Sequence, residues 1–221
     1  MSIIDILIQF RPALLEGFWV TLKLCSIIWS IGLVTGSALG AAGARWALPV
    51  GAPCRVASFL LSAVPILVLL FWMHYPVQAI LGVVVDPFYT AALSLTVVNI
   101  FAVADVVRAG AKGFPAEYLT AARVCGLTPW RTMLHIQLPI LLRQLVPSLL
   151  MQQVNMLQAT LLSSLIGVEE MFRVAQRINA VTYRPIQVYS TLAVFLLIIC
   201  LPLNGLATWL KVRFTRDLSD R

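Results

Sequence analysis

Residues 115–139 read PAEYLTAARVCGLTPWRTMLHIQLP. This stretch is too polar to span a bilayer, yet it is too apolar to be a plain linker. Its first half contains no helix breaker before Gly126, which stands where a left-handed residue would end a helix. Leu127 can then fold back on Ala121 or Ala122. The stretch therefore predicts a short helix with a sharp stop.

A second helix is predicted directly after that stop. Thr128 can cap it, and Pro129 suits its first position because no intrahelical hydrogen bond is lost there. We expect this helix to end near Leu138 and Pro139. The stretch therefore predicts two short helices joined by a bend, with small alanine side chains on one face. Another protein's backbone could approach this protruding face closely.

The composition places the chain in a membrane. Hydrophobic residues make up 60% of it, charged residues make up 11%, and the mean hydropathy is +0.92. A soluble domain has about 45–50% apolar and about 25% charged residues. The net charge of +7 does not indicate nucleic acid binding, because the basic residues cluster beside the ends of apolar runs. The four cysteines show neither metal-ligand spacing nor a disulfide framework.

Five apolar segments qualify as membrane spans of a single domain covering residues 1–221, although the second is short of the usual length of about 20 residues. They are residues 18–44, 57–73, 87–107, 146–168 and 186–210, with a long connecting loop at 108–143. Arginine and lysine concentrate after the first, third and fifth segments, which predicts that these regions are cytoplasmic. The N-terminus is then outside and the C-terminus inside.

The fourth span is the most polar of the five. A polar stripe recurs along it at helical spacing, formed by Gln152, Asn155, Ala159 and Ser163 and flanked by Gln153 and Thr160. A polar stripe on a membrane helix must face protein or water rather than lipid. It therefore predicts either contacts that hold helices together or the wall of a route for a polar solute.

Further pathway candidates lie in the second and third spans. Pro65 predicts a kink and a wide place in the route, because proline removes a helical hydrogen bond. Thr96 and Asn99 lie on adjacent turns of one face, and polar groups inside a membrane are costly enough to be functional candidates. For Asn99, an interhelical hydrogen bond and a pathway role are equally open.

Two other features are interpreted as structural. Gly32, Gly36 and Gly40 repeat every four residues and predict close packing against another helix. Asp105 and Arg108 are spaced to form an ion pair at the inner end of the third span.

Nothing in the sequence indicates an enzyme. It contains no phosphate-binding loop, and its two histidines fall on opposite sides of the predicted membrane. We therefore expect no catalytic residues, no metal site and no cofactor bound by this chain.

The spacing of Ala121-Ala122, Gly126 and Ile136–Pro139 resembles the EAA loop of bacterial ABC importer permeases. Residues 17–21 and Ile166–Glu170 resemble further motifs of the polar amino acid group, which takes up histidine, glutamate, glutamine, arginine and opines. The resemblance covers nearly the whole chain. It implies an all-α type I importer permease with five transmembrane helices and a cytoplasmic coupling helix that sits in a cleft of an ATPase subunit.

The resemblance also implies roles for particular residues. The ATPase-coupling residues would be Pro115, Glu117, Thr120, Ala121, Ala122, Gly126, Leu127, Trp130, Leu138 and Pro139. The outer gate and the surface for a binding protein would include Glu169, Glu170, Arg173 and Arg177. The acid that names the loop is replaced here by Thr120, and the family's intramembrane Lys-Asp pair is replaced by Gln158-Ala159.

The implied partners are an ABC ATPase dimer that uses ATP and Mg²⁺, an extracytoplasmic solute-binding protein, membrane lipid and a second permease subunit. A heterodimer is favoured, because a different permease could supply the charged contacts that this chain lacks. The solute would be a polar amino acid or an amino-acid-like compound. The alternative is a gradient-driven secondary carrier or channel, and a membrane-embedded enzyme is a third hypothesis. A carrier has no need of the loop pattern, and a proton-driven one would need an unpaired acid in mid-membrane.

Overall fold

The computed structural model describes the backbone of residues 3–219 and the side chains of residues 6–214. All regular secondary structure in that range is helical, as the sequence predicts. In chain order the elements are α1 (Ile3–Gln9), α2 (Arg11–Arg45), a π-helical turn (Ala47–Gly51), α3 (Ala52–Ala63), α4 (Ile66–His74), α5 (Pro76–Leu81), α6 (Pro87–Lys112), α7 (Ala116–Val124), α8 (Pro129–Thr132), a second π-helical turn (Met133–Gln137), α9 (Leu138–Thr160), a 3₁₀ segment (Leu161–Ile166), α10 (Met171–Thr182) and α11 (Pro185–Ser219).

Four helical segments in the described range are long and apolar enough to cross a membrane: α2, α6, Pro129–Ile166 and α11. A fifth is counted if Ala47–Ala63 and Ile66–Leu81 together form one bent span. These two halves meet at 95°, which is a break rather than the simple kink expected at Pro65. Val64 is extended, with φ −95° and ψ 125°, because the proline ring disfavours helical geometry in the residue before it.

The glycine repeat of α2 packs directly on α6. A Cβ added to Gly36 would lie 2.6 Å from the Ile100 carbonyl oxygen and 2.7 Å from Val103 Cβ. A Cβ on Gly40 would lie 2.6 Å from the Ala104 carbonyl oxygen. The predicted close packing is confirmed, and α2 and α6 form the most extensive helix contact in the fold.

A buried pair of amides ties α2, α6 and α9 together. Asn99 Nδ2 donates to the Ile28 carbonyl oxygen at 2.9 Å and to Gln153 Oε1 at 2.9 Å. Gln153 Nε2 donates in return to Asn99 Oδ1 at 3.4 Å. Gly32 leaves the room for this arrangement, since a Cβ there would overlap the Asn99 side chain. Of the two possibilities for Asn99, the structure therefore shows the interhelical hydrogen bond.

The predicted ion pair between Asp105 and Arg108 is present at the end of α6. Ser58 donates a hydrogen bond to the same carboxylate, which joins α3 to α6. The pair therefore has a third member that the i, i+3 spacing alone does not indicate.

The helix that begins at Pro129 does not end near Leu138, so this prediction is wrong. It continues through the second π-helical turn into α9, where the Leu138 N–H donates to the Met133 carbonyl oxygen. Pro139 has no N–H, and its ring would clash with the carbonyl four residues earlier in a regular α-helix. The wider π turn accommodates the proline, so one helical segment runs from the loop across the molecule.

Candidate coupling, translocation and outer surfaces

The bend between α7 and α8 has the predicted geometry. Gly126 adopts a left-handed conformation with φ +70°, and the Leu127 N–H donates to the Ala122 carbonyl oxygen at 3.0 Å. The Gly126 N–H donates to the Arg123 carbonyl oxygen at 3.0 Å, which completes a Schellman-type stop. Thr128 Oγ1 then accepts a hydrogen bond from the Arg131 N–H at 3.4 Å and caps α8. These hydrogen bonds fix the turn between α7 and α8.

One face of α7 is exposed. The residues that line it are Ala116, Glu117, Thr120, Ala121, Val124 and Cys125. Val124 is 83% exposed and was missed by sequence reasoning, although its spacing one turn after Thr120 and Ala121 places it on the same face. Ala122 is only 2% exposed. Ala121 therefore lies on the exposed face and Ala122 faces the interior, because adjacent helical residues point about 100° apart.

The remaining predicted coupling residues surround this face. Trp130 is 65% exposed, and Leu138 and Pro139 are also exposed on the following helical segment. Pro115, just before α7, and Leu127, in the turn, are half-buried. The exposed part of the loop therefore combines small and large apolar side chains with the exposed Glu117, Arg123 and Arg131.

The predicted polar stripe on α9 is not one continuous exposed surface. Asn155 is exposed and Gln152 is half-buried, whereas Ala159, Thr160 and Ser163 are buried. The helix tightens to 3₁₀ geometry at Leu161, which advances each later side chain by about 20° more per residue than an α-helix does. Ser163 is buried and donates to the Thr160 carbonyl oxygen at 2.5 Å.

Ala159 lies in an apolar cluster with Leu24, Leu70 and Leu95, so its side chain contacts protein rather than open space. Thr96 is also buried, and its hydroxyl has no hydrogen-bond partner among the described residues. Pro65 is exposed at the break between α3 and α4. The single chain thus brings Asn99, Ala159 and Thr160 into its interior and leaves Asn155 at its surface.

Glu170, predicted for the outer surface, is a buried helix cap. It is 0% exposed and accepts hydrogen bonds from the backbone N–H groups of Phe172 at 2.9 Å and Arg173 at 3.0 Å. Burial raises the pKa of its carboxyl to about 7, against the lowering effect of the two N–H donors. The surface placement is therefore wrong for Glu170, whose contacts fix the start of α10.

The motif at residues 17–21 explains how α10 is held. Thr21 Oγ1 donates to the Gly17 carbonyl oxygen at 3.0 Å and accepts from the Met171 N–H at 3.3 Å. A Cβ on Gly17 would lie 2.8 Å from Val174 Cγ2. The glycine thus allows α10 to approach α2 closely, and the threonine satisfies a free N–H at the start of α10.

The exposed face of α10 carries the other predicted outer residues. Glu169 Oε2 lies 3.2 Å from Arg177 Nη1, and Glu169 Oε1 lies 3.7 Å from Arg173 Nε. All three side chains are about half exposed, so these ion pairs stabilise the fold little. They form a charged surface at the end of the molecule opposite the α7 turn.

These features define a helical membrane protein with a rigid turn at one end and a charged helix at the other. Residues 30–216 match the family described as binding-protein-dependent transport system inner membrane component. The chain belongs to this family.

Individual relatives agree with this assignment. The glutamine transport system permease protein GlnP of Escherichia coli K12 is 28% identical over 203 residues, which cover 91% of this chain and 93% of the relative. The octopine transport system permease protein OccM of Rhizobium meliloti is 30% identical over 188 residues, which cover 80% of this chain and 76% of the relative.

Solved structures show the same fold. A crystal structure of an amino acid ABC transporter with histidines superposes with a TM-score of 0.85 at 22% identity, covering 96% of this chain and 99% of the other. The MetNI methionine ABC transporter superposes with a TM-score of 0.72 at 20% identity, covering 94% and 98%. The fold is therefore that of a type I ABC importer permease, as the sequence predicts.

The protein is a transmembrane permease subunit of an ABC importer, and it is a multi-pass component of an inner membrane. The family match supports this interpretation over the secondary carrier or channel.

Proposed function

We propose that this chain carries a polar amino acid or a related solute inward as one half of a two-permease pathway. Solute delivery is assigned to an extracytoplasmic binding protein, and ATP with Mg²⁺ is bound and hydrolysed by a separate pair of ATPase subunits. The names of the relatives, which include glutamine and octopine permeases, support the solute class.

The observation that carries the proposal is the exposed face of α7, held between two membrane helices by the Gly126 turn. Its side chains are small or apolar except for Glu117 and Thr120. A small-faced helix held by a hydrogen-bonded turn suits a cleft in a partner protein, because it is pre-organised and loses little entropy on docking. In this proposal, closure of the ATPase pair moves α7, and the movement passes along the continuous helical segment Pro129–Ile166.

The orientation follows from the same assignment. The α7 turn and the end of α11 face the cytoplasm, while α10 and the N-terminus face outward. The basic residues Arg108, Lys112, Arg123 and Arg131 flank or lie within the proposed cytoplasmic loop, in agreement with the positive-inside rule.

A second, different permease is favoured as the partner. Residues 144–168 contain no charged side chain, and Ala159 lies in an apolar cluster. The ammonium and carboxylate groups of an amino acid need charged or strongly polar contacts when they leave water. A second subunit would supply these contacts, and this requirement favours a heterodimer over a homodimer.

The docking role is tested by Val124→Asp. This change places a charge on the exposed face of α7 without touching the core, so the permease should remain in the membrane while the ATPase no longer co-purifies with it. Val212→Asp is the matched control, because Val212 is also exposed and belongs to the proposed cytoplasmic end of α11. Co-purification after gentle extraction, followed by ATPase assay, gives the result. Equal ATPase recovery with both variants would overturn the docking role.

A further inference from the structure

Two amide side chains on α9 are exposed although the helix is a membrane span. Asn155 and Gln158 are exposed, and neither makes a side-chain hydrogen bond within the described part of the chain. Gln153, on another face of the same turn, is buried and bonded to Asn99. The helix therefore has one amide face that is satisfied inside the subunit and one that is not.

Lipid is an unfavourable neighbour for these exposed amides. Moving an unpaired amide from water into an apolar medium costs about 2–7 kcal/mol, and lipid offers no hydrogen-bond partner. Asn155 and Gln158 lie about two turns or more from either end of the uncharged stretch 144–168, so they cannot easily reach water at a membrane surface. Their partner must be the second permease, the solute or water in the solute route.

We propose that Asn155 and Gln158, with the half-buried Gln152, recognise the uncharged polar side chain of an amino acid at the junction between the two permeases. This inference rests on the proposed function and narrows its solute class. Each carboxamide offers two N–H donors and one carbonyl acceptor, which complement an amide or hydroxyl group. A cationic or anionic side chain at the same place would be desolvated without a counter-charge from this chain.

Lys23, a charged side chain within the first span, does not alter this balance. Lys23 is exposed on α2, about 200° around the helix from Thr21, whereas the buried residues Leu24, Cys25 and Ile28 cluster near Thr21. It therefore points away from α9. The structure thus offers hydrogen-bond donors and acceptors along this face of α9, and the amino acid's own charged groups would be held by the second subunit.

A direct binding measurement without the binding protein tests solute recognition by the permeases separately from solute delivery. The assembled complex of both permeases and the ATPase is placed in nanodiscs without the binding protein, and binding of radiolabelled L-glutamine is measured with L-arginine and L-glutamate as competitors. The wild type should bind L-glutamine at least 10-fold more tightly than either charged amino acid. Asn155→Asp should shift the arginine-to-glutamine affinity ratio at least 10-fold toward arginine, since the new carboxylate supplies a counter-charge. Gln158→Ala should weaken L-glutamine binding.

The matched control is Asn204→Asp, which makes the same chemical change at a half-buried amide on α11. Its affinity ratio should equal that of the wild type. An unchanged ratio in Asn155→Asp, or loss of the second permease from the purified complex in either α9 variant, would overturn the inference. The second result would mean that the amides join subunits rather than bind solute. The proposed function is tested independently by the α7 docking experiment, which involves no solute, so failure of one proposal can be distinguished from failure of the other.

Discussion

Glu170 is subject to two opposing effects on its charge. Two backbone N–H groups at the start of α10 favour the carboxylate, while complete burial favours the protonated acid. Burial is the larger effect and raises the pKa from 4.5 to about 7. The folded protein therefore binds this proton more tightly than the unfolded chain does, so the contribution of Glu170 to stability is greatest at low pH and is lost as the pH rises from about 4.5 toward about 7.

Glu170→Gln should remove this pH dependence. The shift corresponds to roughly 3 kcal/mol between the two pH limits, so the thermal midpoint of the purified wild-type complex should fall relative to that of the variant between pH 5 and pH 7.5. Thermal unfolding in detergent at several pH values measures the difference. Glu169→Gln, on the exposed side of the same turn, controls for loss of one acidic residue. Parallel curves for wild type and Glu170→Gln would contradict the assignment.

At the residue scale, the sequence shows which residues belong to a motif, but it does not show which of them are buried or what they contact. The Gly17 and Thr21 motif and the Glu170 motif were each recognisable, but nothing in the spacing shows that they meet. The Met171 N–H finds Thr21 Oγ1 150 residues away along the chain. This contact between distant parts of the chain is not visible in the motifs, so an outer-surface role was predicted for Glu170 where the structure has a buried cap.

At the scale of elements, α2 and α6 pack closely because glycines on α2 have no side chains to separate the two helices. Gly36→Ala should destabilise the protein by roughly 1–3 kcal/mol, because the new Cβ meets the Ile100 backbone carbonyl at 2.6 Å and the helices must separate. Gly205→Ala on α11 is the control, since nothing lies within 4 Å of its added Cβ. It should leave stability unchanged or raise it by about 0.5–1 kcal/mol. The thermal midpoints of the two variants, measured on the same complex, decide the matter, and equal midpoints would contradict the packing argument.

The sequence predicted where the helices of this region lie, but it did not predict which of them continue into one another. Gly126 and Thr128 are strong local signals, and both gave the correct turn. Pro139 and Pro65 are equally strong signals, yet one lies inside a continuous helical segment and the other marks a 95° break. The difference lies in the backbone before each proline. A π turn widens the helix ahead of Pro139, and Val64 leaves helical geometry ahead of Pro65. Each proline ring requires an adjustment of the preceding backbone, but the residue type alone does not say which adjustment the chain adopts.

At the scale of the whole molecule, orientation remains a prediction that cysteine labelling can test. In a Cys125→Ser background, which removes the exposed native thiol, Val181→Cys on α10 and Val212→Cys on α11 place single exposed thiols at opposite ends. A membrane-impermeant thiol reagent should label position 181 in intact cells and position 212 only after permeabilisation. The reverse pattern would invert the assigned topology and remove the cytoplasmic role of α7.

Composition was sufficient to predict a multi-span membrane protein, and the loop pattern was sufficient to indicate the importer family. The sequence could not show which polar residues are satisfied inside the subunit. Gln153 and Asn155 differ by two positions and have the same chemistry, yet one is bonded to Asn99 and the other is exposed. Only the rotation of α9 against α6 makes that distinction, and it is a property of packing.

The segment Pro129–Ile166 has 38 residues and is about 57 Å long at 1.5 Å per residue. The amide pair at Gln153 fastens it to its neighbours about 36 Å from one end and about 20 Å from the other. If the segment moves as one body, as the proposed function requires, this buried amide pair acts as an off-centre pivot. In the proposed orientation, a displacement of the end near α7 would then move the end near α10 in the opposite direction by roughly half the distance. The proposed movement is therefore smaller at the outer end than at the cytoplasmic end.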